Sequence, residues 1–177
     1  MENFREDLLT ARAVYLEGDI TAIKAEEILQ DMTWLNARGE SPITLYIDSP
    51  GGSVGPGLVI YDVIQASRAP IVGIVQQQAN SMAACILQAC RKRLAYASSI
   101  LTLHSIIIRR SLDELENNFI ETLRDAQKNQ HRIENIFAGR TQKTLEETKR
   151  LFFSSGREGE RFIAEKALQE NLIDKII

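Results

Sequence analysis

The chain has 177 residues with a formal net charge of −3, 44 % hydrophobic and 25 % charged residues. These are ordinary values for one globular domain with a core of its own and exclude a disordered, fibrous or low-complexity chain. The Lys and Arg residues are scattered rather than gathered into a basic stripe, which argues against a nucleic-acid partner.

The first residues, Met1-Glu2-Asn3-Phe4-Arg5-Glu6-Asp7, carry acids where a secretory signal needs a basic start and an apolar stretch. No apolar run approaches the roughly 18 residues of a membrane span. Next, Ala13–Leu16 reads as a strand ending at Gly18. Residues 22–35 show helical spacing through Ile23, Ala25, Ile28, Leu29, Met32 and Trp34. Ile43–Ile47 is a β-rich run stopped by Asp48-Ser49-Pro50-Gly51-Gly52, and Leu58 to Ile64 is helical. Ile71–Val75 predicts a strand that runs into Gln76-Gln77-Gln78-Ala79-Asn80. Residues 81–90 lack a polar face, as a buried helix does.

Cys85 and Cys90 fall within that apolar segment, with no CxxC spacing and no histidine cluster. They read as buried small side chains in a reducing, cytoplasmic compartment rather than as a disulfide or a metal site. Leu94–Tyr96 and Ile100–Leu103 predict two short strands. A single long helix follows over about 112–138, from the spacing of Leu112, Leu115, Phe119, Leu123, Ala126, Ile133 and Ile136. Helices are predicted at 145–152 and 163–171. Alternating strands and helices make the fold α/β, and neither GxGxxG nor GxxxxGK[ST] occurs to hold a nucleotide. No cofactor and no metal is expected.

Of the two histidines, His131 sits among Lys128, Asn129, Gln130 and Arg132, as a solvated residue does. His104 instead ends the strand Ile100–Leu103, which would deliver it to a sheet edge. Ser81 follows a strand and opens a buried helix. Serine is a preferred helix N-cap there. The same place also suits a nucleophile, because unpaired N–H groups and the helix dipole favour a developing oxyanion. The N–H of Met82 is the natural donor. Ser49-Pro50-Gly51-Gly52-Ser53 reads either as a tight turn or as the source of a second donor from Gly51 or Gly52.

Taken together in this order, several segments resemble the ClpP family of the ClpP/crotonase superfamily. They are residues 8–16, Leu45 to Val54, Gly57 to Asp62, Gln78-Ala79-Asn80-Ser81-Met82-Ala83-Ala84, Leu101-Thr102-Leu103-His104 and Leu172 to Ile176. The resemblance implies a single peptidase domain over 1–177: a spiral of ββα units with the long helix projecting as a handle. It also implies a serine endopeptidase in which Ser81 is the nucleophile and His104 the general base. Gly52 and Met82 N–H groups would form the oxyanion hole, with Gly51 shaping the turn. Two stacked heptameric rings, a tetradecamer of identical subunits, would enclose peptide or unfolded-protein substrates.

The chain departs from the family pattern in several places. The family has an aspartate before an Arg-Phe-like pair, whereas Glu160 precedes Arg161-Phe162 here. A short apparent insertion between Phe152 and Gly159 makes Glu158 a rival for the triad acid. The family's N-terminal segment, which engages a ring-shaped AAA+ unfolding ATPase, is mostly lacking, and this weakens the expectation of such a partner. After His104 the chain reads Ser105-Ile106-Ile107-Ile108-Arg109-Arg110 where the family carries Gln-Pro and glycines before its substrate-aligning strand, and Gln77 and Ala83 replace common glycines. Two further readings stay open: a catalytically inactive ring subunit with a structural or regulatory role, and acyl-CoA chemistry of the crotonase branch.

Overall fold

The computed structural model describes residues 2–108, 111–153 and 159–177. Contacts divide the chain into two compact units, residues 1–102 with 161–177 and residues 103–160.

The first unit is built on a parallel sheet. After the helix α1 (Glu2–Thr10) come β1 (Ala13–Glu17), α2 (Ala22–Asn36), β2 (Ile43–Ser49), α3 (Val54–Gln65), β3 (Ile71–Asn80), α4 (Met82–Ala89), β4 (Lys92–Ala95) and β5 (Ile100–Leu103). Strand β6 (Glu160–Ile163), α7 (Ala164–Gln169) and β7 (Lys175–Ile176) complete it. The sheet order is β1-β2-β3-β4-β7, with β5 pairing β3 and β6 pairing β5. All the registered pairs are parallel. Alternating burial along β2 and β3 puts Ile43, Leu45, Ile47, Ile71 and Val75 into the core, as strands with one fully covered face require.

Strand β3 is the pivot. Its first half pairs with β4, Val72 to Val75 against Lys92 to Ala95. Its second half pairs with β5, Gln78 to Asn80 against Ile100 to Thr102. The sequence suggests a strand ending at Val75, because the three glutamines look like a turn; the strand continues to Asn80 because β5 supplies partners for Gln78, Ala79 and Asn80. The helix α4 is buried over its whole length, and its one polar residue, Gln88, donates to the carbonyls of Ala84 and Leu172. Cys85 and Cys90 are buried free thiols, as expected.

The second unit contains α5 (Leu112–Thr141) and α6 (Leu145–Phe153). The predicted long helix is present, three residues longer at its C-terminal end than the expected 138 and kinked at Asn118, whose φ of −136° leaves the helical range. Phe137 of α5 and Phe152 of α6 meet edge to face at 5.2 Å. A capping box opens α6: the Thr144 hydroxyl and N–H both donate to Glu147, and the Glu147 N–H donates back to Thr144. These bonds, the hydroxyl's first, hold the Glu147 carboxyl below its ordinary range.

Three elements escape sequence reading: α1, β6 and β7. The sequence places Ile163 at the start of the last helix, but it ends β6, and the helix begins at Ala164. Strands this short show no periodicity of their own and exist because distant partners complete them, as Leu94 and Ala95 do for Lys175 and Ile176. No helix among the described residues is long and apolar enough to cross a membrane.

Candidate active site

Parallel strands deliver their C-terminal ends to one edge of a sheet, where α/β proteins place their sites. There β1 gives way to Gly18 and Ile20, β2 to Gly51 and Gly52, and β3 to Ser81. A register shift between Ile47 and Ser49 sets Ser49 opposite Ala79, so the glycine turn arrives beside Ser81.

Ser81 does not behave as an N-cap. Its side chain makes no cap hydrogen bond, and its backbone sits at φ 54°, ψ −121°, outside the ordinary left-handed well. A non-glycine residue held in such a conformation costs on the order of 1–3 kcal/mol, and persists only where its surroundings impose it. The surroundings are visible: the Ser81 N–H donates to the Thr102 carbonyl at 2.7 Å, tying the turn to β5. The Ser81 carbonyl accepts from Cys85 N–H within the first turn of α4. A sharp strand-to-helix turn of this kind exposes a serine hydroxyl at the top of a sheet.

The glycine turn abuts it. Gly51 has φ 98°, and a Cβ there would lie 2.6 Å from the Asn80 carbonyl oxygen, 2.7 Å from the Ser81 Cβ and 3.3 Å from the Met82 nitrogen. Gly52 has φ 152°, and its Cβ would meet the Ile20 backbone at 2.5 Å. Only glycine fits at either position. The turn is pinned from behind by a bridge in which the Ile20 N–H donates to the Gly51 carbonyl and the Ser53 N–H to the Ile20 carbonyl. That pattern leaves the Gly52 N–H outside the ladder. The Met82 N–H, at the first position of α4, belongs to the donors a helix leaves unpaired. The structure thus brings Gly51, Gly52, Ser81 and Met82 together at one edge of the sheet.

One residue of this group is not singled out by the sequence. The Ser49 hydroxyl is buried, accepts the Gly51 N–H at 3.1 Å and donates to the Gly18 carbonyl at 2.6 Å. Serine two residues before a glycine is the signature of such a turn and could have found it.

In the second unit, His104 is half-buried just beyond β5. Its Nδ1 lies 2.7 Å from the Ser105 carbonyl oxygen. Gly159, at φ 78°, packs so closely that a Cβ there would stand 2.8 Å from the His104 Cβ and 2.5 Å from the Leu103 carbonyl oxygen. Glu160 follows directly at the start of β6 and is partly buried. Glu158, the alternative acid, lies outside the described residues, as do Arg109 and Arg110. Ser105 to Ile108 form no strand. Beside them, a cavity of about 460 Å³ is lined by Ile106, Ile108, Leu123, Ala126 and Gln130 among others. His131 is exposed on α5, as expected.

Comparison with known proteins is decisive at this point, since the family model described as Clp protease matches residues 1–177. The chain belongs to the Clp protease family. Clp proteases are hydrolases of the serine-peptidase type, and the parallel sheet with its flanking helices agrees with their fold. Among relatives of the Clp protease family, the ATP-dependent Clp protease proteolytic subunit 3 of Synechococcus sp. (strain CC9902) is 33 % identical over 94 % of this chain and 82 % of its own length. The protein of the same name from Synechococcus sp. (strain CC9605) is 32 % identical with the same coverage. The ATP-dependent Clp protease proteolytic subunit of Carsonella ruddii (strain PV) is 38 % identical over 55 % of this chain and 51 % of its own.

Proposed function

We propose that this member of the Clp protease family is a serine endopeptidase whose single domain hydrolyses peptide bonds inside a ring oligomer. Ser81 Oγ attacks the carbonyl carbon while His104 accepts its proton. The Gly52 and Met82 N–H groups stabilise the oxyanion, and Gly51 shapes the turn that presents them. His104 then protonates the leaving amine, and water releases the acyl-enzyme. Glu160 supplies the carboxylate that balances the imidazolium. No metal or cofactor takes part.

The observation that carries this reading is the Ser81 backbone, held at φ 54°, ψ −121° with its hydroxyl unused as a cap and Gly51 against its Cβ. A serine that merely capped α4 would need neither the strained angles nor the glycine. The apolar face that α5 exposes beyond its kink, with Phe119, Ile120 and Leu123, supports assembly of rings through this helix, of the stacked heptameric kind the family implies. Buried free thiols support a reducing cytoplasm as its site of work.

A fluorophosphonate or β-lactone probe tests the reading. Labelling of the assembled protein at Ser81, absent from Ser81→Ala, is expected; unlabelled, folded rings would count against it. A second reading, an inactive ring subunit, draws on the contact of His104 Nδ1 with its own neighbour's carbonyl instead of a carboxylate. Equal peptide-cleavage rates for the protein and its Ser81→Ala variant would favour that alternative.

A further inference from the structure

The contact of His104 with Ser105 is the first link of a chain of hydrogen bonds within the second unit. His104 Nδ1 faces the Ser105 carbonyl oxygen at 2.7 Å. The N–H of Ile106, the other end of the same peptide group, donates to Gln130 Oε1 at 2.8 Å. The Nε2 of Gln130 in turn donates to Glu134 Oε1 at 3.0 Å. Glu134 is only 4 % exposed, one helical turn further along α5.

Each link fixes the next. A carboxylate can only accept, so the Gln130 amide must turn its NH₂ to Glu134 and its oxygen to Ile106. No peptide bond in the described chain is cis. A planar trans peptide points its N–H and C=O in opposite directions, so anchoring the Ile106 N–H on the helix aims the Ser105 carbonyl away from it, at the imidazole. A carbonyl oxygen also only accepts. Its contact with Nδ1 therefore requires the proton on Nδ1 and leaves the Nε2 lone pair free, the tautomer a general base needs. Donation from Ile106 to Gln130 polarises the peptide and strengthens its carbonyl as an acceptor.

We propose that Gln130 and Glu134 are positioning residues for His104: acting through the Ser105–Ile106 peptide, they hold the imidazole in its Nδ1–H tautomer, a task otherwise left to the triad carboxylate. The catalytic meaning of this relay rests on the peptidase reading, but the tautomer can be measured without it.

The protein has two histidines, so ¹⁵N-histidine labelling of the full chain gives a spectrum that one His104→Gln variant assigns by the signals it loses, leaving in place His131, whose Nδ1 lies 3.8 Å from Glu134 Oε2. Magic-angle-spinning spectra of the sedimented protein, recorded where the imidazole is neutral, show which ring nitrogen carries the proton. The expected result is Nδ1–H for His104, with a dipolar contact from Nδ1 to a ¹³C-labelled Ser105 carbonyl. Gln130→Met, similar in size but without an acceptor, should mix the tautomers and lower kcat by about 10-fold to 100-fold, short of the ~10⁴ seen when a triad histidine is held in the wrong tautomer. KM should stay near its original value. If Gln130 served only to bind substrate in the cavity that it lines, its replacement would instead raise KM and leave the spectrum alone. Glu134→Leu should reproduce the tautomer mixing, and Glu134→Gln, which restores an acceptor, should reverse it.

A proton found on Nε2 in the unsubstituted protein overturns the relay whatever the variants do, and so does an unchanged spectrum in folded Gln130→Met. Failure of Ser81 to react with the probe overturns the peptidase reading and leaves the tautomer result standing.

Discussion

Gly51 and Ser81 are in such close contact that a Cβ on the glycine would come within 2.7 Å of the Cβ of the serine. The turn after β2 and the turn after β3 therefore fit only together. The angle that exposes the Ser81 hydroxyl and the absence of a side chain at Gly51 are two sides of one constraint.

Gly51→Ala should consequently damage both stability and activity. The new methyl group enters a backbone at φ 98° and meets the Asn80 carbonyl oxygen at 2.6 Å, a backbone atom that cannot swing aside. A loss of about 1–3 kcal/mol is expected from the strain alone. Displacing the proposed oxyanion donors, the Gly52 and Met82 N–H groups, should lower kcat about 10²-fold or more. Thermal unfolding and peptidase kinetics on the same preparation check both parts; full activity would show that the turn does not face the reacting carbonyl.

Ser49→Ala removes the buried hydroxyl that joins Gly51 N–H to the Gly18 carbonyl. Two polar groups of the turn lose their partner, at about 1–3 kcal/mol for a buried group left unsatisfied. Because the glycine conformations remain allowed, kcat should fall less than in Gly51→Ala. Chemical denaturation midpoints compared between the two variants read the difference.

Glu160→Gln separates orientation from charge. Where a carboxylate alone sets the tautomer, its amide replacement reverses the imidazole and costs about 10⁴ in kcat. With the Ser105 carbonyl holding Nδ1, the expected loss is about 10-fold, from losing the negative charge that Glu160 is proposed to set beside the imidazolium. A kcat reduced by the full four orders would place orientation on Glu160 and take it from the peptide relay.

Arg93→Met probes the core rather than the site. The Arg93 side chain, 5 % exposed, bonds to Asp174 through Nε and Nη2, to Gln88 at 2.6 Å and to the Asn171 carbonyl at 2.8 Å. It joins β4, α4 and the segment leading to β7. The Asp174 carboxylate left behind is 39 % exposed and can be solvated, so the loss comes mainly from the buried Gln88 oxygen deprived of its donor, at about 1–3 kcal/mol. The variant should unfold at a markedly lower temperature, with Ser81 still reactive toward the probe in the fraction that remains folded.

Much of this protein is legible in its sequence alone. Apolar runs mark β1, β2 and α4, and apolar periods mark α2 and the long helix, because burial leaves a local pattern wherever an element meets the core. Ser81, Met82, Gly51 and Gly52 stood out because each ends a strand or opens a helix, where the backbone itself supplies unpaired donors. The sequence also located His104 at a strand end, and the order of these segments pointed to the Clp protease family, to which the chain belongs.

Tertiary structure decided what depends on distant partners. The glutamines after Val75 extend β3 because β5 lies alongside, and β6 and β7 exist only as additions to strands already in place. Ser49 gained its role from a carbonyl at Gly18, and Gly159 from the closeness of His104. Gln130, read as one more polar residue on a helix, became the anchor of the Ile106 N–H. A hydrogen bond between residues far apart leaves no periodic trace in the chain, since its geometry is fixed by packing elsewhere; only the folded backbone brings its two ends within reach.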